Sequence, residues 1–274
     1  MTGWRDARPK LRRISPLGWG LALLRLSTFA IVTYGGLILL LVLRLMERPL
    51  CGLSRPVTPY VTQGVCKAGL VVLGLRLCQT GQPMTARGAV VANHTSWLDI
   101  FVLNACDRVY FVSKAEVARW PGIGWLARAT GTLFIARNGA EAKVQQQQFE
   151  TRLRAGHRLL FFPEGTSTDG LRVLPFKSTL FAAFFTHGMN HVMHIQPVTV
   201  SYIAPKDEDA RFYGWWGEMD FGRHLIRVLA TPKWGRVDVT YHPPVRVDDH
   251  ADRKALAADL ERTIRQGHNA GAQA

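Results

Sequence analysis

The chain has 274 residues, with 34 lysines and arginines against 20 aspartates and glutamates, which gives a formal charge of +14. Apolar residues make up 47% of the sequence, too many for a disordered chain, and four cysteines without a CxxC pair argue against a disulfide scaffold, a zinc ribbon or a thioredoxin-like site. The cysteine usage predicts a reduced, cytoplasmic setting, and the positive charge predicts an anionic partner, either nucleic acid or a phospholipid surface.

An uncharged apolar segment, Leu26 to Leu43, dominates the N-terminal region. At about 1.5 Å per residue it is just long enough to cross a hydrocarbon core of about 30 Å. The cations before it are Arg5, Arg8, Lys10, Arg12, Arg13 and Arg25. By the positive-inside rule this flank is expected in the cytoplasm, near anionic headgroups. A signal peptide is the alternative, but no small-residue cleavage pattern follows the segment.

A second apolar run, Ala68 to Leu75, is too short to span a membrane alone. A hairpin, or two helices dipping into one leaflet, would return the remaining chain to the cytoplasmic side. The alternative for residues 68–75 is a buried helix that packs on the soluble domain. The sequence leaves both open.

From Ala86 onward, short apolar runs alternate with helical patterns. Strands are predicted at 88–92, 108–112, 132–135, 158–162, 195–203 and 236–241, and helices at 97–105, 140–155 and 179–189. This alternation predicts an α/β fold with a mixed, largely parallel sheet flanked by helices. We expect membrane-associated helices in residues 1–80, a catalytic domain in 81–248, and a C-terminal amphipathic helix and tail in 249–274, disordered from Gly267.

The segment Asn93-His94-Thr95-Ser96-Trp97-Leu98-Asp99 places a histidine after a predicted strand and an aspartate five residues later. On a continuous helix the two side chains would point apart, so they meet only if His94 lies in the turn and Asp99 in the following helix. Such a pair supplies a general base, because the carboxylate fixes the imidazole tautomer and stabilises the imidazolium. No GxSxG elbow is present, so the attacking hydroxyl would belong to the substrate. A capped helix with an incidental histidine is the alternative.

Two further segments carry polar groups after predicted strands. In Phe161-Phe162-Pro163-Glu164-Gly165-Thr166-Ser167, Glu164 could accept hydrogen bonds from substrate hydroxyls, and the amides around Gly165 could face an anion. In Gly131-Thr132-Leu133-Phe134-Ile135-Ala136-Arg137, the arginine is a fixed cation suited to phosphate or carboxylate. An ordinary turn and a surface salt bridge are the alternatives.

The blocks NHTSWLD, GTLFIAR, FPEGTS and IQPV, in this order, resemble the four motifs of the lysophospholipid acyltransferase family, whose type member is 1-acylglycerol-3-phosphate O-acyltransferase. The resemblance covers about residues 86–203. It implies transfer of an acyl group from acyl carrier protein or coenzyme A to the free hydroxyl of a lysolipid, without a metal or other cofactor. It also implies a cytoplasmic (inner) membrane location with the catalytic domain facing the cytoplasm.

By the same resemblance, His94 is the catalytic base and Asp99 its partner. The implied substrate-binding residues are Arg137, Glu164, Gly165, Thr166, Ser167 and Lys177.

One position departs from the family pattern. The third motif usually ends in EGTR, with the arginine near the acceptor phosphate, whereas this chain has Ser167. Losing a charge-assisted bond costs about 1.5–3 kcal/mol, so Arg137, Arg172 or Lys177 compensates or the headgroup is not a phosphomonoester. The string FPEGTSTDGLRVLPFK and the later WWGEMD resemble the bacterial lyso-ornithine lipid acyltransferases. Phosphatidic acid synthesis from 1-acylglycerol-3-phosphate is the alternative activity, alone or in addition.

Two other classes are weaker. His187, His191 and His194 have the spacing of one helix face, which would suit a metal-dependent lipid hydroxylase, but such enzymes need several clusters. No nucleic-acid-binding motif is recognisable, so the basic N-terminus is better explained by headgroup contact.

Overall fold

The computed structural model describes residues 3–6, 8–9, 12–135, 142–186, 191 and 193–271. Its N-terminal part is a pair of helices, α1 (Pro16–Cys51) and α2 (Thr58–Val72). Ser15 caps α1, because its side-chain oxygen accepts from the amide of Gly18 at 3.1 Å, and Pro16 suits the first helical position. The predicted apolar segment 26–43 therefore lies inside a longer helix.

The turn between α1 and α2 is fixed by one carboxylate. Glu47 is buried, and it accepts hydrogen bonds from the Val57 amide at 2.7 Å and the Thr58 hydroxyl at 2.6 Å. These contacts join the end of α1 to the start of α2, so the two helices form a hairpin. Residues 68–72 complete α2, and Cys66 and Leu70 on this helix are buried in the core of the domain. Residues 68–72 are therefore both part of the second helix of the hairpin and packed on the domain, with Val71 still exposed, and Leu75 of this run begins the sheet.

Most of α1 is exposed and apolar. Among the described residues it is the one helix whose length and composition would allow it to cross a membrane. Leu17, Leu23, Ile31, Leu45 and Leu50 are each more than two thirds exposed. Since such a surface is costly in water, it indicates association with a membrane.

The described residues form one sheet of eight strands. The strands are β1 (Leu75–Thr80), β2 (Gly88–Ala92), β3 (Tyr110–Lys114), β4 (Leu133–Ile135), β5 (Leu159–Phe161), β6 (His194–Ile203), β7 (Gly235–Tyr241) and β8 (Val245–Arg246). Their order is β1-β7-β6-β2-β5-β3-β4, with β8 beside β6. Only the pairs β6–β7 and β6–β8 are antiparallel, so the predicted mixed, largely parallel sheet is confirmed.

Helices cover both faces of this sheet. They are α3 (Leu98–Cys106), α4 (Ile123–Ala129), α5 (Ala142–Arg154), α6 (Phe221–Ala230) and α7 (Arg253–Gly271). Val90 and Ala92 of β2 face one core, with α2, α3 and α6, whereas Ala89 and Val91 face the other, with α5 and α7. The period of two along β2 thus divides the core into two layers.

Several elements differ from the prediction. β1, β8, α4 and α6 were not predicted, and the sheet begins at Leu75, before the expected domain boundary after residue 80. The predicted helix 179–189 is a 3₁₀ helix over Ser178–Phe185, and residues 187–190 lie outside the described residues.

The predicted disorder from Gly267 is wrong up to Gly271, which ends α7. The imidazole of His268 is buried there, and its Nε2 lies 3.0 Å from the carbonyl of Gly170. Packing on the domain therefore holds the last turns of this helix, whose polar composition suggested disorder.

Candidate active site

His94 and Asp99 meet at the carboxyl end of β2. The strand ends at Ala92 and α3 begins at Leu98, so His94 lies in the connecting turn and Asp99 in the first turn of the helix. The imidazole Nδ1 is 2.7 Å from Asp99 Oδ2. Asp99 is fully buried, whereas the His94 side chain keeps 21% of its surface exposed. The spacing argument thus gave the right geometry.

The Asp99 carboxylate is held by three more donors. The amides of Thr95 and Ser96 donate to Oδ2 at 2.8 and 3.0 Å, and the Tyr202 hydroxyl donates to Oδ1 at 2.7 Å. Burial, followed by the negative charge of Asp99, raises the pKa of Tyr202 well above its usual value, so the phenol stays protonated and donates. A carboxylate surrounded by donors orients His94 with its proton on Nδ1, which leaves Nε2 as the proton acceptor.

The His94 ring and backbone are both fixed by the segment that follows β5. Phe162 stacks on the imidazole, with ring centroids 4.0 Å apart and planes inclined by 10°. Glu164 accepts from the His94 amide at 2.7 Å, and the Thr168 amide donates to the His94 carbonyl at 2.9 Å. Phe162 and Glu164 of the FPEGTS motif, together with Thr168 directly after it, therefore hold His94 at its ring, its amide and its carbonyl.

Glu164 is a buried carboxyl group whose two oxygens are both occupied by backbone donors. Its second oxygen accepts from the Leu174 amide at 2.6 Å, and the side chain is 2% exposed. Burial raises the pKa of Glu164 to about 8, although the two amides act in the opposite direction. In the structure Glu164 thus connects two loop segments through His94, a positioning contact that the sequence did not reveal.

The remaining loop residues surround a sharp turn at Gly165. This residue has φ +70°, and a Cβ there would lie 2.5 Å from Lys177 Nζ, so only glycine allows the lysine to lie over the turn. Lys177 is exposed, Thr166 is half-buried and Ser167 is buried. An exposed cation therefore lies beside this turn at the carboxyl end of β5.

A buried ion cluster follows directly, and the sequence reasoning did not identify it. Asp169 is fully buried, and both its oxygens lie 3.0 Å from nitrogens of Arg172. Arg211 Nε lies 3.6 Å from Oδ2 of the same carboxylate. The i, i+3 spacing of Asp169 and Arg172 could have indicated their ion pair from the sequence. Only the fold brings Arg211 to the same carboxylate.

Trp97 and His224 are another pair near the base. The indole Nε1 donates to His224 Nδ1 at 2.9 Å, and His224 Nε2 lies 3.2 Å from the Phe212 carbonyl. Burial lowers the pKa of His224 to about 4, so the ring is neutral and accepts from the indole. This contact fixes the residue that precedes α3.

Two sequence expectations cannot be placed at the site. Arg137 and its neighbours 136–141 lie outside the described residues, as does His187. His191 pairs with Asp248 at 3.1 Å, and His194 begins β6, so these two do not share a helix face. The described part of the chain contains no group of three or more residues suited to hold a metal ion.

Comparison with known proteins shows the family of this chain. The family model described as Acyltransferase matches residues 78–214. The lyso-ornithine lipid O-acyltransferase of Rhodobacter capsulatus is 58% identical over 96% of this chain and 95% of its own length. That of Brucella abortus is 38% identical over 64% of this chain and 69% of its own.

More distant relatives share part of the sequence or the fold. A 1-acyl-sn-glycerol-3-phosphate acyltransferase of Neisseria gonorrhoeae is 40% identical, over 36% of this chain and 39% of its own length. The crystal structure of the 1-acyl-sn-glycerophosphate acyltransferase of Thermotoga maritima has the same fold, with a TM-score of 0.63, 22% identity, and coverage of 92% of this chain and 94% of that one. The matched family model and the high identity over nearly the full length show that this chain is an enzyme of the acyltransferase family.

Proposed function

We propose that this enzyme transfers a fatty acyl group from acyl carrier protein or coenzyme A to the free hydroxyl of lyso-ornithine lipid, which gives ornithine lipid. The observation that carries the chemistry is the 2.7 Å contact between His94 and buried Asp99 with the imidazole partly exposed. The acceptor is supported by the similarity, at 58% identity, to a lyso-ornithine lipid O-acyltransferase.

In the proposed reaction His94 Nε2 removes the proton of the acceptor hydroxyl while the oxygen attacks the thioester carbonyl. Asp99 stabilises the imidazolium that forms, and Tyr202 and the two amides keep the aspartate in place. The tetrahedral intermediate then loses thiolate, which takes the proton from His94 and leaves as a thiol. Since a thioester is already activated, one oriented base contributes about 10²- to 10⁴-fold, and alignment of the two substrates adds more.

The acceptor-binding role of the loop after β5 fits an amino acid headgroup. Ser167 leaves the loop without the arginine that usually ends this motif, while Arg172 is engaged in the ion pair with Asp169. Lys177 provides a cation for a single carboxylate. In this proposal Arg137, Glu164, Gly165, Thr166, Ser167 and Lys177 form or support the acceptor site. Synthesis of phosphatidic acid from 1-acylglycerol-3-phosphate is the second candidate, favoured by the partial similarity to the Neisseria enzyme.

For the location we propose the cytoplasmic face of the inner membrane. The exposed apolar surface of α1 would enter the lipid, and the cations before and within α1, such as Arg12 and Arg25, favour the cytoplasmic side. Because α2 leads directly into the sheet, a hairpin of this kind keeps the catalytic domain on that side.

A two-by-two acyl-transfer assay tests the proposal. Purified enzyme in detergent receives labelled acyl carrier protein or acyl coenzyme A, with lyso-ornithine lipid or 1-acylglycerol-3-phosphate as the acceptor. We expect the highest kcat/KM with lyso-ornithine lipid, and a kcat lower by about 10²- to 10⁴-fold with the His94→Ala variant. A clear preference for 1-acylglycerol-3-phosphate would replace the first candidate by the second, and transfer to neither acceptor would contradict both.

A further inference from the structure

A cavity lies at the opposite end of the sheet from His94. It has a volume of about 680 Å³, and its wall includes Tyr110, the first residue of β3, and Arg158, which precedes β5. Since β2, β3 and β5 run parallel, this amino edge is the end remote from Ala92 and the catalytic turn. The cavity therefore shares no lining residue with the candidate active site.

The cavity wall is cationic. It contains the three arginines Arg55, Arg108 and Arg158 against one acid, Asp107. Arg158 forms an ion pair with Asp107, whereas in the described part of the chain neither Arg55 nor Arg108 pairs with a carboxylate. The cavity thus presents two guanidinium groups without a direct ion-pair partner among the described residues, and the buried carboxylate of Glu47 acts on Arg55 from beyond ion-pair distance.

Both of these guanidinium groups are held in place by other contacts. Arg55 donates to the Ala129 carbonyl at 2.8 Å and lies 5.9 Å from the centre of the Tyr110 ring. Arg108 lies 4.4 Å from the centre of the Tyr60 ring. Each guanidinium has five N–H donors, so these contacts leave donors free to face the cavity. Planar cations fixed on aromatic rings suit the oxygens of a phosphate group.

The layer behind the wall adds positive charge. Arg152 lies 4.9 Å from the Tyr110 ring centre, on the same ring as Arg55. Burial lowers the pKa of both arginines, Arg44 lowers that of Arg55 further, and Arg55 lowers that of Arg152 further. Neighbouring cations of this kind destabilise each other unless an anion lies nearby. A bound anion in the cavity would supply that compensation.

The cavity adjoins the C-terminal end of α1, where apolar side chains are exposed. Leu50 is 80% exposed and Leu53 is 51% exposed, and these residues adjoin Cys51 and Ser54 of the wall. When the exposed face of α1 lies in hydrocarbon, a cavity at its C-terminal end lies at the depth of the lipid headgroups. Phosphate groups are abundant at that depth.

We propose that this amino-edge cavity is a non-catalytic binding site for a phosphate-bearing anion, held by Arg55 and Arg108. The anion would come from the headgroup of an anionic membrane lipid or from free phosphate. A lipid in this position would attach the end of the sheet remote from His94 to the membrane surface. The site acts independently of acyl transfer, so its test does not depend on the proposed function.

Binding to purified full-length enzyme in neutral detergent tests the proposal. The probes are short-chain phosphatidylglycerol, short-chain phosphatidylcholine and inorganic phosphate. Arg108→Gln is the main variant, because Arg108 is exposed and the substitution should not impair folding. Arg253→Gln is the matched control, since it removes the same charge from an exposed position at the start of α7.

We expect Arg108→Gln to weaken binding of the anionic probe about tenfold or more, and Arg253→Gln to leave it unchanged. Arg55→Gln should repeat the loss, with the thermal midpoint confirming that the variant is folded. If these substitutions weaken the binding of phosphatidylglycerol alone, the ligand is a lipid headgroup. If they weaken the binding of inorganic phosphate equally, the ligand is a free anion. Unchanged affinity for phosphatidylglycerol and for inorganic phosphate in both Arg55→Gln and Arg108→Gln would overturn the proposal.

Discussion

The two ends of the sheet handle charge in opposite ways. At the carboxyl edge, Asp99, Glu164 and Asp169 are buried, and every one of these carboxylates is surrounded by donors. At the amino edge, Arg55 and Arg108 line a cavity without a carboxylate partner among the described residues. The carboxyl groups at the carboxyl edge are enclosed by donors close to His94, whereas the two guanidinium groups at the amino edge keep donors available to a ligand.

The two edges also differ in how they contact the hairpin formed by α1 and α2. The catalytic turn is connected to it through side-chain packing, because Phe101 of α3 contacts Gly69 of α2 and Phe29 of α1. The amino edge is connected through hydrogen bonds, because His157 Nε2 lies 2.9 Å from the Leu53 carbonyl at the end of α1. Variants at the two edges should therefore affect different properties.

The largest effect is expected at His94. Substitution His94→Ala removes the proton acceptor and should lower kcat by about 10²- to 10⁴-fold, while the protein still folds and associates with membranes. The measurement is the initial rate at saturating acceptor, with flotation on vesicles as the check of association. His191→Ala is the matched control, because this histidine is exposed and lies away from the catalytic turn. Equal losses in both variants would remove His94 from its role.

A change of acceptor preference is the next largest expectation. Ser167→Arg restores the arginine that ends this motif in the wider family and should raise the kcat/KM ratio for 1-acylglycerol-3-phosphate over lyso-ornithine lipid by about ten- to a hundredfold. Thr179→Arg adds the same group at an exposed position outside the loop and should leave the ratio unchanged. A ratio unaffected by Ser167→Arg would mean that this position does not select the headgroup.

A smaller effect is expected from Tyr202→Phe, which removes one donor from Asp99 and no atom from the exposed part of the site. Loss of this charge-assisted bond should lower kcat about tenfold with little change in KM. Tyr213→Phe is the control, since its ring packs 5.6 Å from that of Tyr202 and the structure gives it no contact with Asp99. A change confined to KM would contradict a positioning role.

The smallest effect concerns stability in acid, and it compares the two edges directly. Burial lowers the pKa of both His157 and His224 from 6.5 to about 4. The unfolded chain therefore binds these protons first, and the stability from the neutral rings is lost as the pH falls from 6.5 toward 4. The expected slope is at most about 1.4 kcal/mol per pH unit for each histidine.

Thermal unfolding across this pH range measures the slope, and hydrogen exchange locates it. Each of the variants His224→Gln and His157→Gln should reduce the slope, because glutamine keeps polar groups but does not titrate. Hydrogen exchange should show the change near the Trp97 contact for His224→Gln and near the end of α1 for His157→Gln. Slopes identical to that of the unsubstituted protein would show that these rings do not determine the acid sensitivity.

The sequence by itself determined the parts of this protein that are encoded within a few residues. The five-residue spacing of His94 and Asp99 allows contact only across a strand-to-helix turn, and short apolar runs specify the buried strands because both faces of a parallel sheet are covered. Six of the strands and the contact between His94 and Asp99 follow from such local patterns. β1 was missed because only Leu75 of this edge strand is buried.

Tertiary structure alone decided which distant groups complete each site. Tyr202 reaches Asp99 across 103 positions because β6 lies beside β2, and Glu164 reaches the His94 amide because β5 lies on the other side. The amino-edge cavity likewise combines Arg55, after α1, with Arg108 and Arg158, before two neighbouring strands. The sequence gives the type of each acidic or basic residue but not whether its side chain faces solvent, a backbone amide or a cavity. Its partner therefore depends on the order of the strands in the sheet.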